Sequence, residues 1–314
     1  MLFNDDIISS LIIIFYPKTK HIDLLYISLH LISKIYFKFF NVRSRGRLKI
    51  SEKNYQDIIA HFEAGIAKIT LNRPNRLNAI QFPTIMEILD VFEQIMKDKS
   101  IRVIVFNGAG RSFCSGDDLV SMGPQGAEFP PLDPKYRLPH HKLIHLIREI
   151  ELPVIALLHG HCLGAGFELA LACDIRLAAD NLDMGDHRTR RAICMLHGAS
   201  WFLPRLIGFG RATEIILTGR HLDAKEALEL GLVSEVYPFS EFEERSKEYI
   251  EKIARMPTKC LGYNKTMLNF SFLNDLVSSL QNEFYLFNEN MKTYDFREGN
   301  RSFLEKREPR FKGR

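Results

Sequence analysis

The chain has 314 residues, 46% hydrophobic and 25% charged, enough apolar content for one large core or two modest ones, which excludes a wholly disordered chain. Its net charge of +4 is placed at one end. Residues 1–50 hold 8 Lys/Arg against 3 Asp/Glu and the rest hold 34 against 35, so the body carries no nucleic-acid footprint. Cys114, Cys162, Cys173, Cys194 and Cys260 show neither paired spacing nor C-x-x-C, the pattern of reduced, mostly buried thiols in a cytoplasmic protein.

Residues 1–50 form an N-terminal extension of different texture. The apolar run 7–16 follows Asp5 and Asp6, the wrong sign for a secretory leader, and Pro17, Lys18 and Lys20 stop it short of membrane-spanning length. The extension reads as an appended segment, mobile or not native to the functional protein; an interfacial amphipathic helix over 22–40, touching a membrane surface, is the alternative. Deleting residues 1–50 is therefore expected to leave a soluble, active oligomer, checked by gel filtration and activity; loss of solubility would show that the extension packs on the body.

In the body, 65–72 alternates and carries β-branched residues, a strand that Arg73-Pro74-Asn75-Arg76 turns. Ile85, Ile88, Leu89, Phe92, Ile95 and Met96 fall at helical spacing. A buried strand is expected over 101–107, followed by the Gly-rich stretch Gly108 to Leu119. Residues 120–139 hold five prolines and two glycines, a lid or pocket wall rather than regular structure. A helix over 140–151 carries His141 and His145 at i, i+4, but no third ligand accompanies them, and no metal site is expected.

The apolar run 154–158 reads as a buried strand and 167–173 as a buried, Ala-rich helix, joined by a second Gly-rich turn. Gly164 and Gly166 let backbone approach a ligand, and the helix start offers unpaired N–H groups with the positive end of the helix dipole behind them. Such a turn stabilises an oxyanion, and Glu168 beside it is placed to move protons next to a carbonyl. Neither Gly loop matches G-x-G-x-x-G or ends in G-K-[ST], which speaks against dinucleotide and P-loop binding.

The stretches Ile69-Thr-Leu-Asn-Arg-Pro-Asn-Arg-Leu-Asn-Ala79, Phe113-Cys-Ser-Gly-Asp-Asp-Leu119, 153–180, 217–233 and the tail 295–311 follow one another in the chain. Through them the sequence, over about residues 55–314, resembles the enoyl-CoA hydratase/isomerase (crotonase) family. The resemblance implies an α/β fold, a crotonase-like spiral of ββα units over 51–250, with a C-terminal helical trimerisation region over 251–314 and a homotrimer or homohexamer. It implies an acyl-CoA thioester as substrate, with coenzyme A part of that substrate and no separate cofactor.

The resemblance also implies roles. The backbone N–H groups of Asp117 and Ala165 hold the thioester oxygen, and Glu168 is the first of two acids that split a water. Arg73, Asn75, Arg76 and Leu77, with Gly116, Asp118, Leu119 and Gly164, are implied to contact coenzyme A and substrate. The second acid of hydratases falls on Arg188, and an alternative acid position falls on Leu196, beside His197. Asp186 or His187 could supply the missing group. Arg188 either pairs with Glu168 or grips a substrate carboxylate. Hydration of an enoyl-CoA is the leading reading; decarboxylation or C–C hydrolysis of a carboxylated or cyclic acyl-CoA is the second. A non-catalytic relative binding RNA or an acidic partner is a reading of another class, disfavoured by retention of Glu168 and both Gly loops.

Overall fold

The computed structural model describes residues 54–122 and 135–314; the extension over 1–50 and most of the proline-rich segment lie outside the described residues. Strands β1 (Ile58–Glu63), β2 (Ile66–Leu71), β3 (Val103–Gly108), β4 (Val154–Leu158), β5 (His161–Leu163), β6 (Ile175–Ala179), β7 (Asp183–Gly185), β8 (Leu222–Asp223) and β9 (Glu235–Tyr237) build two sheets. The larger has the order β1-β2-β3-β4-β6-β9, antiparallel between β1 and β2 and parallel elsewhere. The smaller has the order β5-β7-β8.

Helices α1 (Phe82–Lys97), α2 (Leu119–Met122), α3 (Pro139–Glu149), α4 (Ala165–Ala172), α5 (Ala199–Ile207), α6 (Phe209–Thr218) and α7 (Ala224–Glu229) lie between strands, and α8 (Phe242–Arg255), α9 (Thr258–Ser271), α10 (Leu276–Met291) and α11 (Tyr294–Leu304) close the chain. The apolar stripe of α1 buries Ile85, Ile88, Leu89, Phe92 and Ile95. Along β3 the side chains alternate between two cores: Ile104 and Phe106 join the core that holds Phe92, while Val103 and Val105 meet Phe242, Ile250 and Ala254 of α8. Burial on both faces is why β3 and β4 are near-continuous apolar runs. Strand β1, which the sequence reading did not anticipate, is a sheet edge that exposes Ile59, His61 and Glu63 in alternation.

The C-terminal helices dock through charge. Lys265 of α9 places Nζ 2.7 Å from the Ile147 carbonyl, 3.0 Å from the Leu152 carbonyl and 2.7 Å from Asp174. Burial draws its ammonium below the ordinary lysine range, and these three acceptors hold it in place.

Two loops are laid side by side by the parallel ladder. Cys114 runs as an isolated bridge beside Cys162, with its N–H donating to the His161 carbonyl at 2.8 Å and its own carbonyl accepting from Leu163 N–H at 2.9 Å. This extension of the sheet carries Gly116 up to Gly164, at the start of α4.

Candidate active site

Gly164 has φ +52 and ψ −119, a backbone shape that a side chain strongly disfavours. It turns the chain from β5 into α4 so that the Ala165 amide faces the neighbouring loop, within 3.6 Å of where a Cβ on Gly116 would stand. Around Asp117 the two flanking ladder bonds are made by other residues, Ile80 N–H to the Gly116 carbonyl and Asp118 N–H to the Ile80 carbonyl, both 2.8 Å. Among the described residues, neither the Asp117 nor the Ala165 amide donates to an acceptor of the chain. Two unspent donors on adjacent loops stand beside a cavity of about 430 Å³ lined by Gly116, Asp117 and Gly164, an arrangement suited to an oxygen on which negative charge develops.

Gly166 permits this approach. A Cβ there would lie 2.6 Å from the Cys114 Cβ and 2.8 Å from its carbonyl oxygen, so Gly166→Ala is expected to cost about 1–3 kcal/mol by overpacking and to push the two amides apart. Urea unfolding and turnover measured together check this; unchanged values in both would show that the loops have room.

Glu168 lies in the first turn of α4, fully buried. Its Oε1 accepts from His197 N–H at 2.9 Å and Ala199 N–H at 3.0 Å, fixing the entry to α5. Its Oε2 is paired with Arg188 Nη2 at 2.6 Å, and the same nitrogen donates to Asp186 Oδ2 at 2.5 Å. Arg188 Nε completes a two-pronged grip on Asp186 at 2.8 Å, and Nη1 lies 3.6 Å from Asp117. Burial opposes the guanidinium charge, but the hydrogen bonds of Asp186 and the charge of Glu168 outweigh it and hold Arg188 above its ordinary range.

Arg188, not Glu168, borders the cavity. Of the two substitutes considered for the missing acid, Asp186 is buried with both oxygens on Arg188, while His187 borders the cavity and has a buried Nδ1 without a partner. Burial, with Arg191 and His221 nearby, lowers the His187 pKa. Arg190 and Arg191 are exposed.

Two further residues face the cavity. His197, in the turn that Glu168 holds, places Nε2 3.3 Å from Asp117 Oδ1, and His140, in the first turn of α3, stacks on it with ring centroids 4.1 Å apart. Burial, then the neighbouring His197, draws the His140 pKa down to about 3. Burial pushes the Asp117 carboxyl up, yet the hydrogen bond and charge of His197, with Arg188, hold it below the ordinary range. His140 was not singled out by sequence; the neighbouring His141 was, and it instead bonds the Leu196 carbonyl at 3.0 Å, while His145 pairs with Glu149 at 2.8 Å.

The segment implied to lie along coenzyme A is held as a unit. Arg73 bonds the Ala79 carbonyl at 2.5 Å and Asp118 at 2.7 Å, so its guanidinium is spent within the chain, and Asp118 also caps α2 through Val120 N–H at 3.1 Å. Asn78, absent from the sequence reading, locks the turn by accepting from Arg73 N–H at 2.9 Å and donating to the Ala109 and Ser112 carbonyls at 2.9 and 2.7 Å. Its signal was an Asn in a Pro-containing turn, where left-handed backbone is tolerated. Asn75 and Arg76 are exposed, Leu77 is half-buried, and Leu119 borders the cavity.

Fold and site together define an α/β protein with two backbone donors left unspent on adjacent loops beside a cavity rich in titratable groups. Residues 61–314 match the family model described as enoyl-CoA hydratase/isomerase, and the chain belongs to that family. It is 34% identical over 261 residues, covering 83% of this chain and 100% of the relative, to a probable enoyl-CoA hydratase of Rhodobacter capsulatus. It is 32% identical over 259 residues, 82% of this chain and 98% of the relative, to the 1,2-epoxyphenylacetyl-CoA isomerase of Escherichia coli. The crystal structure of an enoyl-CoA hydratase from Bacillus anthracis superposes with a TM-score of 0.76 at 34% identity, over 82% of this chain and 100% of that one.

Proposed function

We propose that this protein binds an acyl-CoA thioester, stabilises its enolate with the amides of Asp117 and Ala165, and hydrates an α,β-unsaturated acyl group. The observation that carries this reading is the pair of unspent amides on adjacent loops beside the cavity. Arg76, exposed at the rim segment, is the cation left to meet a phosphate of coenzyme A, since Arg73 is engaged. Glu168 does not border the cavity and meets it through Arg188 and the His197 turn, so proton transfer at Glu168 requires the Arg188 contact to open, while His187, Asp117 and His197 face the cavity directly. The proposed hydration draws on groups of the chain and on the coenzyme A that the substrate carries.

The second reading, a carboxylated substrate gripped by Arg188, is weakened by the three carboxylates already around that guanidinium. The reading as a binder of RNA or an acidic partner loses the centre of its basic cluster for the same reason. Screening purified protein against enoyl-, dicarboxylyl- and cyclic acyl-CoA esters by mass spectrometry separates these: a gain of one water on an acyclic enoyl ester supports hydration, whereas loss of carbon dioxide, or a gain of one water confined to a cyclic ester, would replace it with the second reading.

We further propose a homotrimer or homohexamer, cytoplasmic, assembled through the C-terminal helices. Leu268, Leu273, Leu276, Val277 and Phe284 are 65–73% exposed on α9, α10 and the turn between them, more apolar surface than an isolated chain would leave in water. A molar mass of one chain by light scattering would overturn the assembly. Among the described residues, no helix is long and apolar enough to cross a membrane.

A further inference from the structure

Among the described residues one carboxylate borders the cavity, the side chain of Asp117. Glu168 and Asp186 are buried and bound to Arg188, and neither lines the cavity. Asp118 turns its carboxylate to Arg73 and to the start of α2. The amide and the carboxylate of Asp117 are separate groups, so one residue can serve the site twice.

The Asp117 side chain is held from two sides without being used up. Oδ1 lies 3.3 Å from His197 Nε2 and Oδ2 lies 3.6 Å from Arg188 Nη1, whereas a charge-assisted hydrogen bond prefers about 2.7–2.9 Å. An ionised carboxylate offers about four lone-pair sites, and with this side chain 18% exposed it has room to accept from water in the cavity.

We propose that the Asp117 carboxylate is the second acid group of the site, holding the water that adds to the β-carbon in place of the acid that the resemblance puts at position 188. This rests on the hydration proposed above. The exchange is reciprocal in space, since the position that lacks the acid carries Arg188, and Arg188 reaches to the facing loop where Asp117 carries one. His197 and Arg188 overcome burial to keep Asp117 ionised, so it accepts a hydrogen bond rather than a proton. Asp117 and Glu168 meet the two terminal nitrogens of the same guanidinium, and displacing Arg188 leaves both carboxylates facing one gap.

One hydrogen of the water is then held by Asp117 and the other passes to Glu168. As that proton leaves, the water oxygen bonds to the β-carbon and the π pair moves onto the thioester oxygen beside the two amides. Glu168 returns the proton to the α-carbon as the enolate reverts to the thioester. One water is added, and both carboxylates end as they began.

The test compares two reactions of one variant. Asp117→Asn keeps the backbone amide and nearly all the side-chain volume. Exchange of the α-proton of a saturated acyl-CoA in deuterium oxide needs the amides and a base but adds no water, and is expected to fall by less than about 10-fold. Hydration of a short enoyl-CoA, read as a mass gain of one water, is expected to fall by about 100-fold or more. Asp117→Glu, which restores a carboxylate, should recover part of that loss, and circular dichroism with coenzyme A affinity checks the fold of both variants. Hydration by Asp117→Asn at the wild-type rate would overturn the proposal. Equal losses of exchange and hydration would also overturn it, as the mark of a side chain that only holds the loop in shape. A wild-type protein that exchanges but hydrates no enoyl ester would remove the hydration itself, a failure seen before any variant is made and so distinct from the other two.

Discussion

Arg188→Met is expected to lower the unfolding free energy by about 3–5 kcal/mol, because it leaves Glu168 and Asp186 buried without their shared countercharge. Both carboxylates depend on one guanidinium, Asp186 through two hydrogen bonds and Glu168 through a 2.6 Å charge contact. Methionine fills much of the volume, so cavity formation adds little and the loss measures charge. For a body of this size the change corresponds to roughly 10 °C in Tm, readable by differential scanning fluorimetry. A drop below about 1 kcal/mol, the scale of surface ion pairs, would mean that Arg188 is solvated in solution. If Arg188 instead gripped a substrate carboxylate, the variant would lose affinity for dicarboxylyl-CoA selectively. With three carboxylates already in place, the expectation is a loss shared by all substrates.

Glu168→Gln is expected to cut turnover by about 100-fold or more, as loss of a proton-transfer group does. The amide oxygen of Gln keeps an acceptor for His197 N–H and Ala199 N–H, so the turn before α5 should survive. Its NH₂ group then faces Arg188, a donor against a donor, at a stability cost of about 1–3 kcal/mol. Turnover is therefore compared at a temperature where both proteins are folded, with coenzyme A affinity measured in parallel. Wild-type turnover in the folded variant would remove Glu168 from the chemistry and leave it the anchor of Arg188 and the 197–199 turn.

What the sequence made legible was local. β3 and β4 are apolar runs because both faces are buried, α1 shows its stripe at helical spacing, and α4 follows a Gly turn whose φ at Gly164 requires glycine. The roles of Asp117 and Ala165 came from a resemblance between motifs, and the structure adds that both amides are unspent. What stayed hidden depends on contacts between distant positions. His140 meets His197 across 57 residues, and His141 drew attention because it pairs with His145 at i, i+4, whereas one residue earlier the helix turns about 100° and points His140 into the cavity. The difference between Arg73, spent on Asp118, and Arg76, exposed, is likewise invisible in a run that spells both as arginine.

The most direct measurement of the central claim is proton exchange at the carbon next to the thioester. The protein is incubated with a saturated short acyl-CoA in deuterium oxide, and the mass of the acyl group is followed with time. An enolate held by the Asp117 and Ala165 amides should incorporate deuterium at the α-carbon far faster than buffer does. Ala165→Pro, which deletes one donor, should slow that exchange by about 10²–10³-fold while the variant still assembles and binds coenzyme A. Exchange by the wild-type protein at the rate of buffer alone would contradict enolate stabilisation at this site.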